Sequence, residues 1–477
     1  MWDTWLYYHD GIHYLYYLHK SAGEVWDGMS VASSTDGVHF EEIGPIIHKR
    51  DDAEWLGTGS VWRVEGKFIL NFSESRGGIQ AIFFAWSDDL IHWERLGDEL
   101  RSDPDPRWYD DKRTGRWDCI WAVPKPEGGF WGYLTARPWN KTQGMRFESV
   151  GRIESEDGLH WHAVSPPVID WGDWPQMNVG EVGAIEKIGD RYYLMLGYDE
   201  VGLGGRQVLI SPAGRTGMYS FVADAPEGPF IPDKQAYRLL VSNGTYFSRF
   251  YPTPDGMLVN HHSIERCGEG PRVWMAPLKR AVVDTDGHLR LGYWTGNDRV
   301  KGKEIEINLV STTRVYPNSD IGQWAAALSR LEADEPVRGG IALLENSFDI
   351  QQGVILEGLM EIHQPPKRWS GVGVYVEHNA QQHRGTGIML ETRSCTEIAT
   401  MDNGGSFTPV YRAEIGVEHG KKHFFRLLLR GTMLEFYLDD LLIQCHSLPE
   451  TPTGKIGLIF ESGKAIFEEL RAWEMNL

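Results

Sequence analysis

Three carboxylic acids, Asp3, Asp118 and Glu181, stand at comparable places along a chain of 477 residues. The marker they share is a turn glycine. Asp3 lies eight residues ahead of Gly11 and Glu181 eight ahead of Gly189, while Asp118 lies ten ahead of Gly128, as a hairpin two residues longer would require. The same count back from Gly66 and Gly256 reaches Thr58 and Ser248. Tryptophan crowds these positions, in Trp2-Asp3-Thr4-Trp5, Glu54-Trp55-Leu56-Gly57-Thr58 and Arg116-Trp117-Asp118. Indole faces cover the C–H surfaces of a sugar ring while carboxylates grip its hydroxyls, so the combination suits a small carbohydrate. Breaking a glycosidic bond takes two carboxyls with different tasks, one a nucleophile or base and one a proton donor. A third anion can hold ring hydroxyls. The candidate catalytic residues are therefore Asp3, Asp118 and Glu181. Trp2, Trp5, His19, Trp55, Thr58, Arg116, Trp117 and Ser248 are the candidate substrate contacts.

Equivalent positions demand a repeated scaffold, and the sequence carries one. A Gly turn followed by an aromatic and aliphatic strand recurs at Gly11, Gly66, Gly128, Gly189 and Gly256, with gaps of 55, 62, 61 and 67 residues. A second unit trails three of the copies, as Ser34-Thr35-Asp36-Gly37-Val38-His39-Phe40, Ser87 to Trp93 and Ser155 to Trp161. Roughly 60 residues per copy is enough for four short antiparallel strands, one propeller blade. The fold expected is all-β, a five-bladed β-propeller over 1–315 followed by a β-sandwich over 339–477. The intervening 316–338 reads as a linker whose Trp324-Ala-Ala-Ala-Leu-Ser-Arg-Leu run favours a short helix. The sandwich shows no comparable set of acids and aromatics, which leaves it a supporting role.

On these residues the first part of the chain resembles the β-fructofuranosidase and levansucrase clan, glycoside hydrolase families 32 and 68. Trp2-Asp3-Thr4-Trp5 resembles the block that carries the clan's nucleophile, and Glu54-Trp55-Leu56-Gly57-Thr58-Gly59-Ser60 a tryptophan-bearing segment of the second blade. Arg116-Trp117-Asp118 resembles an Arg-Asp-Pro motif, with Trp117 inserted and Cys119 in place of Pro. Glu181 sits where the clan holds its acid/base, followed here by Val-Gly. The resemblance implies a retaining, exo-acting glycosidase on furanosides, most of all β-fructofuranosides. Asp3 would be the nucleophile, Glu181 the acid/base and Asp118 the holder of ring hydroxyls. An arabinofuranosidase or another five-bladed relative, and a sugar-binding propeller without turnover, stand as alternatives.

Composition narrows the field further. Lys and Arg total 47 against 67 Asp and Glu, a net charge of −20, which repels nucleic-acid backbones and anionic lipid surfaces. No apolar run reaches the ~18 residues of a membrane helix, and Met1-Trp2-Asp3 opens no signal-peptide pattern. Cys119, Cys267, Cys395 and Cys445 are dispersed, as expected of a reduced, cytoplasmic protein without a structural zinc site. No metal and no cofactor is expected. His39, His92 and His160 share one repeat position and read as turn residues, and His261-His262 as structural. Asp3 is two residues from the start of the sequence, so its tryptophans must tie that segment down if it is to act. Glu54 and Asp199 are the reserve candidates.

Overall fold

The computed structural model describes the chain except residues 22, 24, 113–114, 140–148, 172–178, 199–216, 234–237, 242–244, 268–269, 308, 310–311, 315–323, 328–329 and 403–406. Regular structure is almost entirely strand, with two short 3-10 turns at Asp98–Leu100 and Thr295–Val300 among the described residues. All five repeat glycines adopt left-handed backbone, from φ 63° at Gly189 to 106° at Gly256. That conformation is cheap only for glycine and is what fixes each hairpin.

The hairpins build a propeller-like arrangement. Antiparallel meanders over 2–48, 55–95, 117–164 and 179–241 each form a sheet of their own. A fifth, over 245–283, opens the large sheet that runs on to the C-terminus. Their first strands are Trp2–His9, Trp55–Val64, Trp117–Pro124, Val179–Ile188 and Thr245–Thr253, called inner strands below. The first packs against both the second and the fifth.

Aromatic residues make several of the joints between meanders. Tyr16 donates to the Leu90 carbonyl at 2.8 Å, Trp62 to Gly158 at 3.1 Å, Trp121 to Ile185 at 2.8 Å and Tyr193 to Gly287 at 2.8 Å. Each ring adds apolar burial and spends its one polar atom on a carbonyl of the neighbouring meander or, for Tyr193, of the turn that follows it. Asn260 of the fifth donates to the carbonyl and hydroxyl of Thr4 at 2.9 and 3.1 Å, which anchors the segment around Asp3. The recurrent Ser-x-Asp turns work as the sequence implied. Asp36, Asp89 and Asp157 each bind two backbone N–H groups and the imidazole three residues on, at 2.8, 2.6 and 2.6 Å for His39, His92 and His160.

The C-terminal part departs from expectation in two places. Trp324–Ala327 is a strand, not a helix, and pairs with Arg330–Leu344 with Trp324 opposite Ala333. A few helix-favouring residues cannot offset the cost of nucleation when a partner edge is at hand. Lys301–Ile305, expected within the propeller, pairs instead with the long strand Ile456–Met475, and Ile305 packs on the C-terminal core.

A buried polar cluster joins the fifth meander to the later strands Met433–Leu438 and Leu441–Ser447 of the same sheet. Lys279 pairs with Glu435, which also accepts from Tyr437 at 2.7 Å, with His261 and Cys445 alongside. His261, Glu435 and Cys445 are of metal-binding types, but the Lys279 ammonium already neutralises the carboxylate where a cation would sit.

Candidate active site

Each inner strand breaks its alternation at the same level. Pairing skips between Trp2 and Trp5, Leu56 and Gly59, Asp118 and Trp121, Tyr246 and Arg249, and twice on the fourth strand, on either side of Glu181 and Val182. A bulge inserts an extra residue, bends the strand and re-aims its side chains. Asp3 is the first residue of its bulge, with φ 43°, while Asp118 directly precedes one whose first residue, Cys119, has φ 60°. Glu181 lies between two. The count from the turn glycines thus leads to one level of the fold, and the bulges decide which side chain is presented there.

The acids come together around Arg116. One of its nitrogens, Nη2, donates to Asp118 Oδ2 at 2.9 Å and to Glu181 Oε1 at 2.8 Å, so those two oxygens are no further apart than the sum of these distances. Ser73 donates to Asp118 at 2.5 Å and accepts from Gln80 Nε2 at 3.0 Å. Thr135 donates to Glu181 at 3.3 Å while its oxygen accepts from the Val182 N–H at 2.8 Å. Asp3 is buried, and its Oδ1 accepts no hydrogen bond.

Charge couples all three. Burial pushes Asp3 well above the usual carboxylate range; Glu181 and Asp118 push it further, against the pull of Arg249 and Arg116. Glu181 is raised as well, by burial first, with Arg116 opposing and Asp118 adding. Three carboxyls facing two guanidiniums favour keeping one proton in the cluster, which is what an acid/base pair needs.

The proposed substrate contacts divide. Trp55 is half-buried beside Gly57, and Trp2 is half-buried, stacked on Trp26 at 6.0 Å and tilted against His262 at 4.6 Å. Arg116 lies between Asp118 and Glu181 and bonds both. Trp5 and Trp117 belong instead to apolar cores, Trp5 stacked on Tyr16 at 5.7 Å and Trp117 edge-on to Tyr109 at 4.9 Å. Trp117 adjoins Asp118 and so takes the opposite face; between Asp3 and Trp5 the bulge reverses the alternation. Their rings support the acids from behind.

Thr58 and Ser248 are fully buried at the bulges, with hydroxyls that make no hydrogen bond. His19, at the end of its strand, bonds Ser30 at 2.9 Å and Ser21 at 3.2 Å and touches none of the acids. Of the reserves, Glu54 holds Ser75 and the Gly78 N–H at 2.7 and 3.1 Å, and Asp199 lies outside the described residues.

Ser73, Gln80, Thr135, Gly57 and Arg249 were not singled out from sequence. A Cβ on Gly57 would overlap the Ser73 hydroxyl and lie 3.0 Å from Asp118 Oδ1, so only glycine leaves this pair intact. Arg249 carried a usable signal, a lone charge inside the aromatic strand Thr245–Thr253.

Fold and site together describe a propeller-type protein with a carboxylate cluster. No family model and no curated protein matches the sequence. Solved structures do match in fold over nearly the whole chain. A family 32 β-fructofuranosidase of Bombyx mori shares 13% identity at a TM-score of 0.66, covering 100% of this chain and 91% of its own. The sucrose-6-phosphate hydrolase of Lactobacillus gasseri shares 14% at 0.65, covering 98% and 89%. Fructan 1-exohydrolase IIa of Cichorium intybus, in complex with 1-kestose, shares 11% at 0.66, covering 100% and 98%.

Proposed function

We propose that this protein is a retaining, exo-acting glycoside hydrolase on β-fructofuranosides such as sucrose or short fructo-oligosaccharides. It would be built on a five-bladed propeller over about 1–300, with a supporting C-terminal β-sandwich. The observation that carries the reading is the single Arg116 nitrogen shared by Asp118 and Glu181, with Asp3 coupled to both. The fold it shares with fructofuranosidases, one of them solved with sucrose bound, supports the choice of sugar.

In the first step the Asp3 carboxylate attacks the anomeric carbon while Glu181 gives its proton to the leaving oxygen, so the glycosidic bond breaks as the ester forms. In the second, Glu181 removes a proton from water, whose oxygen displaces Asp3 and releases the sugar. Asp118, oriented by Ser73 and Arg116, accepts hydrogen bonds from ring hydroxyls. Burial raises Glu181 above the usual carboxylate range, the direction a proton donor requires. Three buried free thiols, Cys119, Cys395 and Cys445, suit the reduced cytoplasm proposed as its location.

The test is a substrate panel of sucrose, 1-kestose, longer fructo-oligosaccharides and arabino-oligosaccharides, scored for released monosaccharide. Fructose release that Glu181→Gln lowers by several orders of magnitude is the expected result. Arabinose release would move the sugar class, and binding without any turnover would leave a carbohydrate-binding propeller.

A further inference from the structure

Arg249 is a charged group of the site to which the proposed mechanism gives no task. It follows the bulge of the fifth inner strand and is fully buried. Its Nη2 donates to the sulfur of Cys119, and its guanidinium lies 4.7 Å from the centre of the Phe247 ring and 5.6 Å from that of Trp121. Nε and Nη1 make no hydrogen bond, and among the described residues the group enters no ion pair. An unpaired buried charge is costly, so an opposite charge nearby must compensate it.

Asp3, on the adjoining inner strand, is the natural counterpart. Asp118 is held by Ser73 and Arg116 and Glu181 by Arg116 and Thr135, whereas Asp3 Oδ1 is bare. We propose that Arg249 is a positioning residue for Asp3, pinned by Cys119, Phe247 and Trp121 so that its charge acts on the carboxylate of Asp3 without occupying an oxygen. This rests on the reading of Asp3 as nucleophile. A directly paired carboxylate would have to shed that hydrogen bond before attacking; one stabilised through space would not.

The surroundings fit. The charges acting on Asp3 are Glu181 of the fourth inner strand, Asp118 and Arg116 of the third, and Arg249. Arg116 is already committed to the other two acids, which leaves Arg249 to offset burial. His13 and His19 of the second strand, and His261 and His262 opposite the fifth, are all pushed towards the neutral form by burial and supply no charge. Arg63, at the far end of the second inner strand, acts on Tyr7. Burial also lifts the Cys119 thiol to about 12, so the anchor is uncharged; a carboxylate there would cancel the guanidinium.

The experiment is kcat/KM for sucrose or 1-kestose against pH, for the wild type and for Arg249→Met, Arg249→Lys and Cys119→Ala, with circular dichroism to establish folding. In Arg249→Met the acidic limb, which reports ionisation of Asp3, should rise by on the order of one pH unit, and the basic limb should stay in place. Arg249→Lys should restore most of the limb. Cys119→Ala frees the guanidinium to pair directly with Asp3, so its acidic limb should fall and kcat with it. An acidic limb unmoved in Arg249→Met overturns the proposal. If that variant does not fold, an unmoved limb in Cys119→Ala does so. If the wild type turns over no fructoside, it is the function that fails. Carboxyl NMR titration of Asp3, assigned by Asp3→Asn, then decides the Arg249 role through the same shifts.

Discussion

Replacing Gly57 by alanine tests how the site is packed, using one methyl group. Gly57 is not in the left-handed region, so its backbone tolerates a side chain and only space forbids one. The new Cβ would overlap the Ser73 hydroxyl, and Trp55 and Asp118 Oδ1 at 3.0 Å close off the other directions. Ser73 must rotate away and give up its 2.5 Å hydrogen bond to Asp118. A hydrogen bond to a charged group is worth about 1.5–3 kcal/mol. Spent on transition-state binding, that loss lowers kcat/KM by roughly 10- to 150-fold. Initial rates of fructose release for Gly57→Ala, Ser73→Ala and the double variant give the answer. Removing the hydroxyl removes the clash, so the double variant should be no slower than Ser73→Ala alone. Wild-type rates in Gly57→Ala, or independent additive losses, would refute the reasoning.

Three further outcomes are expected. Trp2→Ala should lower kcat/KM by about tenfold or more while thermal denaturation moves Tm by only a few degrees, because Trp2 steadies Asp3 through Trp26 and His262 and is itself half-buried. Burial would raise Asp36, Asp89 and Asp157, but hydrogen bonds from imidazoles and backbone hold them below the usual carboxylate range, so their stabilisation is present above the unfolded value and lost as pH falls. The Tm gap between wild type and a triple Asn variant should therefore be largest near pH 6 and shrink below about pH 4. Burial lifts Glu186 to about 7, against a hydrogen bond from Trp121, so ionising it opposes folding. Glu186→Gln should raise Tm at pH 8 and leave it nearly unchanged at pH 5.

The acids were legible because their distance from a turn glycine is set by strand length, which a repeating sequence displays openly. Facing was not legible. A bulge adds one residue and reverses every side chain beyond it, so Trp5 looked like a neighbour of Asp3 yet belongs to the core. Ser73, Gln80 and Thr135 lie on strands paired with the inner ones, or beyond, and reach the acids across a register that no local motif records. The helix expected at Trp324 failed for the reverse reason: its composition was read locally, and a strand partner outweighed it. The Asp-His turns were read correctly because the bonds that shape them, from each Asp to the imidazole and backbone N–H groups two and three residues on, are local.

The joints between meanders share a chemical asymmetry. A Tyr or Trp gives a proton from one side, and on the other the acceptor is a backbone carbonyl, that of Leu90, Gly158, Ile185 or Gly287. Every residue has a carbonyl, so these bonds place no demand on which amino acid receives them, although Trp121 reaches the Glu186 side chain as well. Away from the acids, near which side chains such as Ser73 and Asp118 meet across the joint, these bonds constrain the sequence on one face only. A molecule assembled by such one-sided contracts can exchange most of its letters and keep its outline. That is how a chain sharing 11–14% of its residues with these solved structures can still be superposed on them over nearly its whole length.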